Sequence, residues 1–471
     1  MRLWQIPVQH GRLTAAVLLF LQSQLCAAMT SGTCASRATN GAMADDAVNR
    51  PPKEVSPVAR PGDRANSLHD VRTRRNILRV ACSGMIGCFP NGPANAVDLK
   101  SMNKRKYFQR FPTLFAPLYG EGERETVKRQ IGENIWALEQ NLELGPLETP
   151  VRCVVVRLRD GTLWCHAPLC PTEEFFELVE SCGSHGLDSV AHVVVPTYAL
   201  EHKVFAKDAL MRWPKAELWT APGQFSFPRR SVSDEFVWGK RVSGILSGSD
   251  LTATSSKAPW VDELQYETLA AGTFNIGSSP VTFYETAFFH KKSKSLIVTD
   301  SLAQIQLTAP VLNDPEKLLL VGKRSTVDPQ PEDTPQARQI GWEKTSLLVS
   351  YFFPEHEELD PSAGFGVVTW TDGWHENFKA LAGRLIVPPV VRTLLYAQNP
   401  MEVRRWVNRV AERWEFDQIV PAHWEAPIKA SRHDFEGAFA FLEDDSIDAF
   451  PANDLARGLR PIANIALKRT L

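Results

Sequence analysis

The 471-residue chain has no apolar run of the roughly 20 residues that a bilayer-spanning helix needs, so a stable transmembrane segment in the mature protein is excluded. It has no excess of positive charge either. Its 52 Lys and Arg face 54 Asp and Glu, and basic runs such as Lys104-Arg105-Lys106 and Lys291-Lys292 are short, so the footprint of a nucleic-acid binder is absent. There is no P-loop, no G-x-G-x-x-G and no G-x-S-x-G elbow, which removes the common phosphate-cradling and serine-hydrolase readings. Internal repeats are missing too. Eight cysteines are present, but Cys153, Cys165, Cys170 and Cys182 contain no CxxC zinc spacing. Cys153 and Cys165 sit on strand-like segments and read as core thiols. A disulfide between Cys170 and Cys182 and two free thiols both remain open.

Residues 1–96 read as a leader and not as a packed unit. Residues 1–28 have the layout of a secretory signal: a basic start with Arg2 and Arg12, the apolar run Leu13–Leu25, and small residues at Cys26-Ala27-Ala28. Residues 29–72 are rich in Ala, Ser, Thr, Arg and Pro and hold too few large apolar groups to offset the entropy of ordering them, so they read as a disordered, transit-like segment. Residues 73–96 carry a twin-arginine-like signal, Thr73-Arg74-Arg75-Asn76-Ile77-Leu78-Arg79. A weakly apolar run and an A-x-A site at Ala94-Asn95-Ala96 follow it. Two export signals in series fit a compartment inside a compartment, and the arrangement resembles targeting to the thylakoid lumen of a complex plastid. Ordinary secretion is the alternative, with residues 73–96 then a linker.

The mature part, residues 97–471, alternates strand and helix signals. Glu133–Leu144 reads as an opening strand. Val151–Leu158 and Leu163–His166, joined through Asp160-Gly161, form a hairpin. Thr172–Cys182 is an amphipathic helix capped by Thr172, His192–Val195 a buried strand, Lys203–Arg212 a helix and Glu217–Thr220 a strand. A second hairpin joins Val281–His290 to Leu296–Asp300. Asn313–Thr345, dense in Pro and Gly, reads as a surface excursion. Trp374–Leu385, Pro389–Gln398 and Glu402–Trp414 are helical and form a C-terminal extension, and Ile419–Pro421 is a short strand ending at His423. This order implies an α/β fold and not a bundle.

The order also resembles the metallo-β-lactamase superfamily: an αββα sandwich of two mixed sheets flanked by helices. Four places carry the resemblance: Arg152–Pro168, the segment Val193–His202 where the superfamily has HxHxDH, the strand Leu296–Asp300, and Ile419–His423. In its details, Val195-Pro196 with Glu201-His202, Trp213-Pro214-Lys215-Ala216, Ala221-Pro222-Gly223, Leu296–Asp300 and Pro421-Ala422-His423, the chain is similar to a domain-of-unknown-function family of cyanobacteria and plastids, DUF4336. The resemblance implies a metal site, and the chain departs from it in a specific way. Thr197 and Ala199 stand where the first two histidines belong, and Glu201 replaces the aspartate. His202, Asp300 and His423 survive as metal ligands, enough for one Zn²⁺ or Fe²⁺ and not for two.

Glu201 and Glu285 are the candidate catalytic carboxylates. Hairpin register about Lys291–Lys294 sets His290 against Ser295 and Glu285 against Asp300, and a one-residue slip of that register would point Glu285 away. His290, far from that end, is not expected to be a ligand. His166 reads as a hydrogen-bonded neighbour of the site, and His192 as structural. Tyr198, Trp219, Phe225, Phe227 and Trp424 either floor a pocket or pack the core. Two functions follow: a degenerate single-metal hydrolase of a small molecule, or a non-catalytic binding or scaffold protein of the plastid lumen.

Overall fold

The computed structural model describes residues 103–107, 122–144, 147–224, 233–251, 257–276, 279–325, 328–351, 356–359, 368–370, 373–443, 450, 459–460 and 463–464. The leader with its twin-arginine-like segment, Phe225 and Phe227 lie outside them. Every element below belongs to one compact unit; of a second, Ala35–Asn103, Asn103 alone is described.

Seven strands form the first sheet in chain order: β1 (Val127–Gly132), β2 (Ile135–Leu144), β3 (Leu147–Arg157), β4 (Leu163–His166), β5 (Val190–Val195), β6 (Glu217–Thr220) and β7 (Gly244–Ile245). The first four pair antiparallel, and the rest are parallel. The second sheet takes β8 (Leu264–Ile276), β9 (Ser279–His290), β10 (Ser295–Ile297), β13 (Gln418–Val420) and β14 (Ile428–Lys429), with β10 and β13 parallel. A separate small hairpin joins β11 (His356–Leu359) to β12 (Val368–Trp370). The expected two mixed sheets are therefore present.

Side-chain alternation builds the layers. On β3, β4 and β5, Val154, Val156, Trp164 and Val194 turn inward against Tyr266, Phe288, Ile297 and Val420 of the second sheet. Their neighbours Cys153, Val155, Cys165, Val193 and Val195 turn outward to helices α1 (Glu173–Glu180), α2 (Ala206–Arg212) and α3 (Asp234–Trp238) through Phe175, Val179, Ala209 and Trp238. Thr172 caps α1 as expected, its side chain accepting from the Phe175 amide. The outer face of the second sheet packs on α7 (Pro389–Leu394), α8 (Pro400–Arg413) and α9 (Arg432–Ala438) by way of Val391, Trp406, Val410 and Phe435.

Two expectations change. Asn313–Thr345 is not a surface excursion: it supplies α4 (Pro315–Gly322) and the first half of α5 (Pro335–Tyr351), whose Trp342, Leu347 and Tyr351 are buried. With α6 (Trp374–Leu381) these helices make a further core that encloses Trp424. Pro315 and Pro335, which read as loop signals, occupy first helical turns, where a missing amide proton is harmless. The four cysteines among the described residues are free and buried, so Cys170 and Cys182 are not bridged, and Cys153 Sγ rests 3.6 Å from Cys165 Sγ. Among the described residues no helix is long and apolar enough to cross a membrane.

Candidate metal centre

Three strand ends converge. After β5 the chain runs through Pro196 and Thr197, crosses to the second sheet where the Thr286 amide donates to Pro196 O (3.1 Å) and Thr197 bridges Glu285, and turns through Leu200–His202 as one 3₁₀ turn. Asp300 follows β10 and His423 follows β13. Their closeness is a matter of register: Ser295 pairs with Gln418 and Ile297 with Val420, and the same register carried three residues further sets Asp300 beside His423. The ladder continues past the regular strands, with Val298 N donating to Val420 O and Ala422 N to Thr299 O.

His202 Nε2 lies 3.3 Å from Asp300 Oδ1 and 3.2 Å from His423 Nε2, and His423 Nε2 lies 3.4 Å from the same Asp300 oxygen. Glu201 joins them: one donor atom from each of Glu201, His202, Asp300 and His423 falls within 4.8 Å of the others. His202 is fully buried and the other three are partly exposed, so the group opens to solvent on one side. His423 Nδ1 is 2.8 Å from Pro150 O. A carbonyl only accepts, so Nδ1 carries the proton and the Nε2 lone pair faces the cluster.

Burial alone would lower the His202 pKa, but the charge and hydrogen bond of Asp300, with Glu201 and Glu285 behind it, lift it to about 9. Burial would raise Asp300, and His202 and His423 hold it far below the usual carboxylate range instead. Glu285 is pushed up to about 7, first by burial and then by the charge of Asp300.

Of the sequence-derived residues, His202, Asp300, His423 and Glu201 come together. Glu285 stands apart from the donor group. The hairpin register holds from His290–Ser295 to Phe288–Ile297, but β10 then ends and the chain bends. Glu285 does not pair with Asp300. It lies opposite Leu269, its Oε1 accepts the Thr299 amide at 2.7 Å and its Oε2 accepts the Thr299 hydroxyl. His290 donates to or accepts from Ser293 Oγ at 2.7 Å, away from the site. His192 pairs with Glu217 at 3.4 Å. Tyr198, Trp219 and Trp424 are packed against Phe283, Trp260 and Trp342 and so belong to cores. His166 departs from expectation, since among the described residues neither of its ring nitrogens has a hydrogen-bond partner.

Arg152 was not anticipated. Buried at 1 % exposure, it pairs with Glu139 at 2.7 Å, donates from Nη1 to Pro421 O and from Nη2 to Trp424 O (2.6 Å), and so grips the backbone on both sides of His423. Trp424 itself sits at φ 60°, a left-handed backbone that a bulky residue adopts only when its surroundings impose it. Arginine alternating with valines in a strand carries no sequence signal for that task.

A cavity of about 510 Å³ lined by Pro222, Thr268, Tyr284, Glu402 and Arg409 lies elsewhere and includes none of the four cluster residues.

Residues 132–441 match the family described as Domain of unknown function (DUF4336). Among curated proteins none matches. Among solved structures the chain is similar to a metallo-β-lactamase from Pontibacter korlensis (10 % identity, 68 % of this chain and 100 % of that one, TM-score 0.32). A metallo-β-lactamase from Hirschia baltica is similar to the same degree (10 % identity, 67 % and 97 %, TM-score 0.32). A metal-soaked flavodiiron core from Synechocystis is also similar (8 % identity, 69 % and 62 %, TM-score 0.35).

Proposed function

The chain belongs to the DUF4336 family, a domain of unknown function, and we propose that it is a single-cation hydrolase of a small molecule. One observation carries this reading. The three contacts among His202, Asp300 and His423 measure 3.2, 3.3 and 3.4 Å. A tetrahedral ion with bonds of about 2.0–2.2 Å spaces its ligand atoms about 3.3–3.6 Å apart. A charge-assisted hydrogen bond between a histidine and a carboxylate closes to about 2.7–2.9 Å instead. The triangle has the size of a coordination face. The donor set of two imidazoles and one carboxylate, with Glu201 beside it, suits Zn²⁺ or Fe²⁺.

A bound ion would supply Lewis acidity and make water acidic near neutral pH. His202, Asp300 and His423 would hold it, and Pro150 O fixes the His423 tautomer. Glu201, partly exposed at the open side, is the general base, accepting a proton at its carboxylate. Glu285 keeps its oxygens on Thr299 and acts by holding the turn that presents Asp300. The double export signal supports delivery to the thylakoid lumen of a plastid.

Thr197 and Ala199 in place of histidines favour a second reading, a non-catalytic binding or scaffold protein. Metal analysis of the purified protein beside its His423→Ala variant tests the first. One equivalent in the parent and none in the variant is expected; no stoichiometric metal in either, with equal stability, would end the proposal. Hydrolysis of an ester or thioester panel that His202→Ala abolishes would refute the scaffold reading.

A further inference from the structure

The cavity of about 510 Å³ falls within the range of about 300–1,000 Å³ that small-ligand sites occupy. It lies along the outer edge of β8, the last strand of its sheet. The segment after β7 closes one end of that edge: Thr268 N donates to Gly248 O at 2.6 Å, and Ser249 bridges Glu267. Gln398 closes the other, its Oε1 accepting the Thr273 amide at 2.9 Å. Between them Leu269–Gly272 form a gap of about 13 Å, at about 3.3 Å per residue. Because Thr268 turns its amide away from β9, the two-residue repeat of the antiparallel ladder turns the amide and carbonyl of Ala270 the same way. The register then shifts between Ala270 and Gly272, which leaves the extra residue, Ala271, outside the ladder. Ala270 lines the cavity. An open sheet edge is a template for another extended chain. This one admits only a short chain, since the edge is stopped at both ends.

Helix α8 supplies the opposite wall through Glu402 and Arg409, two turns apart on one face, with Arg413 one turn further on. The row is unevenly charged. Arg413 pairs with Asp250 at 2.7 Å and also with Glu267, and Arg409 pairs with Glu267 at 3.1 Å. Glu402 is held more loosely. Arg409 Nη2 stands 3.6 Å from its carboxylate, and the exposed Arg405 Nε stands 3.4 Å away. Both contacts are longer than the roughly 2.7–2.9 Å of a charge-assisted hydrogen bond. The cavity therefore offers a carboxylate with room for a cation beside a backbone edge with room for a strand.

We propose that the cavity binds the free amino end of a short peptide, its ammonium on Glu402 and its backbone extending the sheet at Ala270. Pro222 and Tyr284 line the same space and give the peptide's side chains an apolar wall. The site shares no residue with the Glu201–His202–Asp300–His423 group and stands whether or not that group holds a cation.

Calorimetric titration of the purified protein with tri-alanine amide, beside its N-acetylated form, tests it. Saturable binding of the free-amine peptide is expected, with the acetylated one about tenfold weaker or more. A tri-alanine amide with N-methylated backbone amides should also bind more weakly, a comparison that needs no variant of the protein. In Glu402→Gln the preference for the free amine should disappear. A longer peptide with the same amino end should bind no more tightly than the tripeptide. Absence of saturable binding, equal affinity for the free and acetylated peptides, or an undiminished preference in Glu402→Gln would each overturn the proposal.

Discussion

At the scale of single residues, the chemistry of the cluster depends on side chains that never touch it. Arg152 binds no donor atom of the group, yet its guanidinium holds Pro421 O and Trp424 O, and Val151 next to it bridges His423. Replacing it by Met leaves two buried carbonyls unpaired and strips Glu139 of its buried partner, although Arg129 still reaches that carboxylate. A loss of about 3 kcal/mol is expected in denaturant unfolding. Cation affinity should fall about tenfold as His423 loses its fixed aim. Arg152→Lys, which can reach one carbonyl but not both, should fall between. A variant that is destabilised but binds the cation as tightly as the parent would make Arg152 a fold residue and nothing more.

Among elements, what the sequence disclosed tracks how local the cause is. The β3–β4 hairpin was legible because Asp160-Gly161 and the flanking valines act within a dozen residues. Helix α1 was legible from its cap and its Phe175-Phe176-Val179 stripe. By contrast, β8 was missed: its Ala270-Ala271-Gly272 run has weak strand propensity, and a register shift falls there. Helices α4 and α5 were missed because Pro315 and Pro335 mark starts as well as breaks, and only tertiary burial of Trp342 decides between them. His202, Asp300 and His423 were legible by family resemblance, whereas the Arg152 contacts join residues 269 and 272 apart and leave no local trace.

The α4–α5 crossing makes its own prediction. A Cβ on Gly341 would meet Leu318 O at 2.0 Å and Leu318 C at 2.5 Å, both backbone atoms that cannot step aside. Gly341→Ala must therefore part the helices and is expected to cost on the order of 3 kcal/mol. Since Trp342 packs on Trp424 at 5.6 Å, the disturbance should also reach His423 and weaken cation binding. A thermal midpoint equal to the parent's would show that the crossing is looser than this geometry.

For the whole molecule, the export route and the cluster constrain each other. The donor atoms come from turns after β5, β10 and β13, far apart in sequence, so no donor group exists until both sheets have closed. A general secretory channel passes unfolded chain, and a protein carried that way meets its ion only after the crossing. A twin-arginine signal is read on folded cargo, and with Arg74-Arg75 as the address the cluster forms, and takes its ion, on the near side. Arg74→Lys with Arg75→Lys preserves the charge and the apolar run and changes only the recognised pair. In import assays with isolated plastids, the parent is expected inside protease-protected thylakoids, and the double variant outside them, folded and able to bind the cation. Normal arrival of the double variant would assign residues 73–96 to a linker and leave secretion as the destination. Failure of His423→Ala, the variant expected to take up no cation, to be exported while it remains as stable as the parent would tie export to loading and not to folding alone.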